Sequence, residues 1–231
     1  MSDMDASRIL EAAQAHVPFD GWTEATFLAA AEDAGVEGPQ ARALFPRGAL
    51  DLAAAWHRRG DAAMTARLAT GDLSALRYSE RVVRAVRLRI ELAGDREAVR
   101  RGVTLFSLPQ HAAEGAQLLW GTADAIWNAL GDTSRDVNWY TKRMTLSGVY
   151  SATVLFWLGD DSPAEQATWA FLDRRIEDVM RFEKAKAAVR SSPLLKPFLS
   201  GPEWLASKIK APRAGHQSGL PGVVSSERGR D

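Results

Sequence analysis

Four histidines, no cysteine and a scatter of carboxylates are the residues with which this chain could do covalent or metal chemistry. The histidines are His16, His57, His111 and His216, and none has a Glu three residues before it, so the Glu-x-x-His pairs of a helical di-iron site are absent. There is no His-Glu-x-x-His, no phosphate loop and no Gly-x-Ser-x-Gly. Without cysteine there is no thiolate nucleophile, disulfide or Cys-based zinc site, which suits a reducing compartment. The expectation is a protein that is not an enzyme, with no catalytic residue, metal or cofactor, and with His57 and His111 in structural or exposed places. Arg81, Arg84, Arg87 and Arg89 spread around their helix, as on a solvated or salt-bridged face.

What remains is the chemistry of apolar binding. The segment 109–130 carries Leu118, Leu119, Ile126 and Trp127, and 135–158 is apolar nearly all round from Met144 to Leu158, so that helix is buried or faces a second apolar partner. Gly115 and Gly121 sit inside a helix, where each costs about 0.8–1.0 kcal/mol against Ala, and this suggests close helix approach or room for a ligand. A mostly apolar pocket with few polar groups is the form of a lipid site. Its candidate walls are Leu105, Leu108, Leu118, Ile126, Leu146, Val149 and Phe156, for which ordinary core is the competing use. Trp139 and Tyr140 are adjacent, hence about 100° apart on a helix, so one of them is expected at the surface as an interface anchor. Trp169, Leu172, Ile176, Val179 and Phe182 recur at three and four, a seam for a partner helix or for intramolecular packing.

The elements that must position these residues are all helices. The 3.6-residue period recurs between punctuation marks, whereas strand-like alternation is almost absent. Helices are expected at about 6–16, from the Thr23 cap to a left-handed stop at Gly35, from Gly38-Pro39 to Phe45, and from Gly48 through Met64. Further ones fall at about 75–93, 95–107, 109–130, 135–158 and 163–189. The Pro18 to Gly21 stretch is expected to end the first. With 231 residues, the chain divides into a three-helix unit (1–48), a helical binding and dimerisation domain (49–190), an amphipathic segment (191–211) and a tail (212–231) too poor in apolar residues to order itself. In the amphipathic segment Leu194, Leu195, Phe198, Leu199, Trp204, Leu205 and Ile209 alternate with lysines, the composition of an interfacial membrane segment. Pro197 and Gly201-Pro202 would split it into two short pieces. No apolar run reaches the roughly 18 residues of a spanning helix, and the N-terminus has no signal or transit pattern, so the expected place is the cytoplasm of a bacterium, peripheral on its inner membrane.

The first three helices, with a glycine turn between the second and third, describe a helix-turn-helix. Gly35-Val36-Glu37 and Phe45-Pro46 stand where TetR-type regulators carry their turn and the end of the third helix, and the order and spacing resemble that domain. Yet residues 36–45 read VEGPQARALF, poor in the cations and hydroxyls that contact phosphate, with Arg42 in place of the tyrosine. Residues 1–50 hold three basic side chains (Arg8, Arg42, Arg47) and eight acidic ones, a balance of −5 that repels a duplex. Nucleic acid is therefore not an expected partner, and the unit is read as scaffold; a ligand-responsive transcriptional regulator is the alternative class.

The stretch from Asp124 through Trp127, Asp132, Asp136, Trp139, Tyr140 and Arg143 resembles the ubiquinone-biosynthesis accessory proteins, a TetR-fold lipid-binding family that assists the di-iron demethoxyubiquinone hydroxylase. Also similar are Phe45-Pro46-Arg47-Gly48, Asp161-Ser162-Pro163 and the run from Thr168 to Ile176, so the resemblance covers about residues 5–190. It implies a homodimer that binds an isoprenoid or quinone lipid, touches the membrane surface and presents precursors to the hydroxylase. The hydroxylase would dock at Ile126, Trp127, Asp136, Trp139, Tyr140 and Arg143, and pairing of the last two long helices would make the dimer.

Overall fold

The structure is a computed structural model that describes residues 2–135 and 137–191, with side chains from residue 3 to residue 182. Among the described residues it has nine α-helices, one 3-10 turn at Pro163–Glu165 and no strand. The helices are α1 (Ser2–Asp20), α2 (Glu24–Asp33), α3 (Gly38–Leu44), α4 (Ala49–Thr70), α5 (Tyr78–Glu91), α6 (Arg96–Ser107), α7 (Ala112–Ala129), α8 (Val137–Leu158) and α9 (Gln166–Ser191).

Local chemistry accounts for the boundaries. The Thr23 hydroxyl accepts from the Thr26 amide and caps α2, and Gly35, at φ +64°, closes it in the left-handed region. The Asp95 carboxylate caps α6 at Ala98 N. Pro18 does not end α1, which runs on to Asp20. A proline in the last turn removes one backbone bond only, and the real stop is Gly21, at φ +71°, whose amide bonds Val17 O. Gly48 is a further left-handed glycine: at φ +59°, a Cβ there would meet Glu24 Oε2 at 2.6 Å and Arg42 Nη1 at 2.7 Å.

Two hydrophobic cores share one long helix. The N-terminal core gathers Ile9, Val17, Phe27 and Phe45 from the first three helices with Leu52 and Ala53 of α4 and Ala98 of α6. The larger core gathers Met64 and Leu68 from the far half of α4 with Val86, Ile126, Leu146, Tyr150, Leu172 and Ile176. A division at residue 48 therefore falls before α4, but the first turns of α4 belong to the N-terminal core. Helix α7 packs between α4 and α8, and α9 packs on α5 and α8.

Candidate functional site

A cavity of about 310 Å3 opens among α4, α6, α7 and α8, with Trp22 from the loop before α2 as an end wall. The α6 face that meets it is Val99, Gly102, Val103 and Phe106, spaced at three and four along one side. From α8 it takes Tyr150, Ser151, Val154 and Leu155, and from α7 the residues around Gly115 and Leu118. Trp22 and Trp56 meet there with ring centroids 5.5 Å apart. Both helix glycines on α7 have a physical reason. A Cβ at Gly115 would meet Phe106 Cβ at 2.9 Å, so glycine there lets α6 and α7 close together, whereas around Gly121 there is open space.

The expected wall divides on this geometry. Leu118 lines the cavity. Leu146 and Val149 instead line a second cavity, of about 360 Å3, between α5, α8 and α9, together with Tyr78 and Trp127. Ile126 is fully buried core. Leu105 packs against the N-terminal core, while Leu108 and Phe156 are exposed. The reason is rotational: Leu105 lies off the 99–102–103–106 face, and α8 turns its 150–151–154–155 side to one cavity and 146–149 to the other. Trp22, Trp56 and Tyr150 were not expected as walls.

One end of the first cavity is polar. Arg89 reaches from α5 to α4, where its Nε donates to Asp61 Oδ1 at 2.7 Å and its Nη2 to His57 O at 3.0 Å. Gly60 makes this possible, because a Cβ would stand 2.7 Å from the guanidinium carbon. The Thr122 hydroxyl donates to Asp61 Oδ1 at 2.9 Å, shorter than its 3.2 Å approach to Leu118 O. It can then only accept from His57 Nε2, 2.9 Å away, which puts the imidazole proton on that nitrogen. Burial first, and the Arg89 cation second, lower the His57 pKa to about 4, so the ring is neutral. His57 is thus structural, as its type and place led one to expect. A glycine in mid-helix flanked by His57 and Asp61 was the available sequence signal for this network.

The α7–α8 junction is an ion cluster under a group of aromatic rings. Arg143, only 1% exposed, donates from Nε to Asp124 Oδ1 at 2.5 Å and from its two Nη atoms to Asp132 Oδ2 and Asn128 Oδ1, each at 3.2 Å. Its guanidinium lies 3.9 Å from the Trp139 ring centroid. Lys142 donates to Asp132 Oδ1 at 2.7 Å. Burial alone would raise the Asp132 carboxyl, but hydrogen bonds from Lys142, Ser134 and Arg143 outweigh it and hold it below the usual carboxylate range. Trp120, Trp139 and Tyr140 cluster above in tilted and edge-to-face contacts. The residues expected to receive a partner are brought together here, but most are not on the surface: Ile126, Trp127, Trp139 and Arg143 are buried, and Tyr140 is half-buried. Trp139 faces inward because Arg143, one turn on, takes its ring into the cluster. Asp136 lies outside the described residues.

The α9 seam likewise turns inward. Leu172 and Ile176 are buried in the larger core, and Trp169 and Val179 pack on it, so its intramolecular use prevails; Phe182 alone of the five is exposed. Phe156 of α8 stacks on Phe171 of α9 at 4.6 Å. In the helix-turn-helix unit all three basic side chains are held by carboxylates: Arg8 by Asp5, Arg42 by Glu24, and Arg47 by Asp51 and Glu114. The Arg47–Glu114 pair is bidentate at 2.8 Å and fastens the Phe45-Pro46-Arg47-Gly48 turn to α7. The seven residues expected to meet a membrane, Leu194, Leu195, Phe198, Leu199, Trp204, Leu205 and Ile209, lie outside the described residues. Among those described, no helix is long and apolar enough to cross a membrane.

Residues 112–183, from α7 into α9, match the COQ9 family model. The ubiquinone biosynthesis protein COQ9 of Rattus norvegicus, a mitochondrial protein, is 39% identical over 92 residues, which are 40% of this chain and 30% of that protein. The coq9 protein of Schizosaccharomyces pombe, also mitochondrial, is 33% identical over 179 residues, covering 73% of this chain and 67% of its own length. The chain belongs to the COQ9 family. Its matches to the first animal COQ9 relatives span less than two thirds of those proteins' length. The part of the chain that the COQ9 model matches holds both the Arg143 cluster and the α7 and α8 walls of the cavity. The crystal structure of a TetR transcriptional regulator from Nitrosomonas europaea superposes with a TM-score of 0.61 at 20% identity, covering 74% of this chain and 95% of that one. This COQ9 family member therefore has a TetR-like fold, as the turn residues around Gly35 and Phe45 led one to expect.

Proposed function

We propose that the chain is a non-catalytic lipid-binding accessory protein of ubiquinone biosynthesis, which holds an isoprenoid or quinone lipid and presents it to the di-iron demethoxyubiquinone hydroxylase. The observation that carries this is the cavity: about 310 Å3 of mostly apolar space inside a helical domain, walled by Trp22, Trp56, Val103 and Leu118. That volume lies at the low end of the roughly 300–1,000 Å3 typical of ligand sites. It holds one end of a long lipid rather than all of it. Family membership supports the pathway, since the relatives bear the name ubiquinone biosynthesis protein.

The hydroxylase docks at the α7–α8 junction, on the half-buried Tyr140 and the exposed Met144 one turn further along α8. Trp139, Arg143, Ile126 and Trp127 support that surface from beneath. Two protomers pair along α8 and α9, where Phe156 and Phe182 leave apolar surface uncovered. Residues 191–211 attach the protein to the membrane surface at the inner membrane. DNA binding is disfavoured by the helix-turn-helix unit, whose three cations are already neutralised within the chain.

Reconstitution tests this reading. Demethoxyubiquinone is placed in liposomes with the hydroxylase, and turnover is followed with and without the chain. The expected result is several-fold faster turnover with the chain and none from the chain alone. Equal turnover in its absence, or hydroxylation by the chain alone, contradicts the proposal.

A further inference from the structure

The cavity is polar at its deep end and apolar at its mouth, and this polarity points to the orientation and class of what it takes. Its deep wall is Ala53, Leu118 and Tyr150, all nearly sealed from solvent, with Tyr150 only 4% exposed. Its outer wall is Ser107, Ala112, Ala116 and Leu155, all exposed, with Leu155 at 57%. Leu108, exposed as well, follows Ser107 at the same edge.

Among the sealed residues of the deep wall and the His57 network beside them, the side-chain hydrogen-bonding groups are engaged with one exception. His57 Nε2 is committed to Thr122, Thr122 to Asp61, and Asp61 to Arg89. Tyr150 lines the same cavity, its hydroxyl hydrogen-bonds to no described residue, and the Arg89 guanidinium lies 5.9 Å from its ring centroid. Its oxygen is not among the sealed, unpartnered atoms, which are Trp120 Nε1 and Trp127 Nε1. A buried phenol with no hydrogen-bond partner among the described residues, in the wall of a cavity, is a donor and acceptor for a ligand, because leaving it unpaired costs desolvation energy. Burial pushes the phenol pKa up, so the proton is there to donate. The charges nearby cancel: Arg89 is paired with Asp61 and His57 is neutral. An anionic head would find no free cation among the groups that line this end, and would lose its hydration without compensation.

We infer that the cavity takes an uncharged, oxygen-ended lipid head first, with a carbonyl or hydroxyl oxygen hydrogen-bonded to Tyr150 and the hydrocarbon tail leaving between the start of α7 and Leu155. The inference rests on the lipid-binding reading above and adds to it the neutral head and its buried position. It also makes Tyr150 a specificity-determining residue, since the apolar walls bind any chain of suitable width and the phenol, in the sealed deep wall, distinguishes its end.

Three probes of one carbon skeleton separate the possibilities: farnesol, farnesene and farnesoic acid, titrated into the full chain by calorimetry and by quenching of tryptophan fluorescence. The wild-type protein is expected to bind farnesol about tenfold tighter than farnesene, a difference of about 1.4 kcal/mol, and tighter than the acid at neutral pH. Tyr150→Phe, which keeps the ring and removes the hydroxyl, is expected to bind farnesol and farnesene alike, with farnesene unchanged from wild type. Leu155→Arg, at the exposed mouth, is expected to weaken both. If Tyr150→Phe keeps the full preference for farnesol, or if the acid binds best, the head-first neutral placement is overturned while lipid binding stands. If the wild-type chain binds none of the three, the lipid-binding reading itself falls.

Discussion

Protonating His57 would put a second positive charge beside the Arg89 guanidinium at a largely buried position, and its pKa of about 4 expresses that cost. The unfolded chain titrates near 6.5, so between the two values it binds more protons than the native state does. Stability is therefore greatest above about pH 6.5 and falls as the pH drops toward 4, by up to about 1.4 kcal/mol per unit. His57→Gln keeps a donor for Thr122 and does not titrate. Urea unfolding between about pH 7 and pH 5 should show a steeper loss for the wild type than for this variant, and equal slopes would contradict the assignment. At this scale the sequence was partly legible. His57 could be set aside as a metal ligand from its neighbours, and Asp124, Asp132 and Arg143 stood out as a group. What their spacing could not convey is direction: Arg143 and Trp139 turn inward and hold the α7–α8 junction, so most of the residues that the resemblance implied at a docking face are buried.

Helix α7 shows how the same residue type can serve opposite needs on one element. Gly115 is squeezed against Phe106 of α6, while Gly121 faces space. Alanine gains about 0.8–1.0 kcal/mol of helix propensity over glycine at either position, but overpacking costs about 1–3 kcal/mol where no room exists. Gly121→Ala should therefore raise the unfolding midpoint and Gly115→Ala should lower it, in thermal unfolding of each single variant. A reversed order would contradict the packing of α6 on α7. The helices and their stops could be read directly, because Thr23, Gly35, Asp95 and the other turn residues act locally. Which face of α6 or α8 meets the cavity could not. Helix α8 is apolar nearly all round, and its pattern does not distinguish the side toward α7 from the side toward α9 until the neighbours are in place. The α9 seam was ambiguous for a related reason: a stripe at three and four fits a partner helix of its own chain as well as one of a second copy.

Over the whole molecule, 29 basic and 29 acidic residues cancel, yet the distribution is uneven. Residues 181–213 hold eight basic and two acidic side chains, a balance of +6, while the helix-turn-helix unit is acidic. Anionic lipid contributes about 1 kcal/mol per nearby cation, so the account expects the full chain to sediment with anionic liposomes and the chain lacking residues 191–231 to stay in the supernatant. Co-sedimentation of the shortened chain would move the membrane contact elsewhere. The TetR-like architecture was legible from the order of short helices and turns, and the unit's acidity already spoke against an operator-binding role. A cavity, by contrast, is a property of the assembled helices: Trp22, Trp56 and Tyr150 come together from three separate elements, and nothing in their sequence positions relates them. The central claim is that this space holds lipid, and native mass spectrometry with lipid extraction tests it most directly. An isoprenoid or quinone adduct is expected on the wild-type chain and is expected to be lost in Ala116→Trp, which fills the mouth from an exposed position. A wild-type chain that neither retains nor takes up any lipid, or an adduct indifferent to Ala116→Trp, would contradict it.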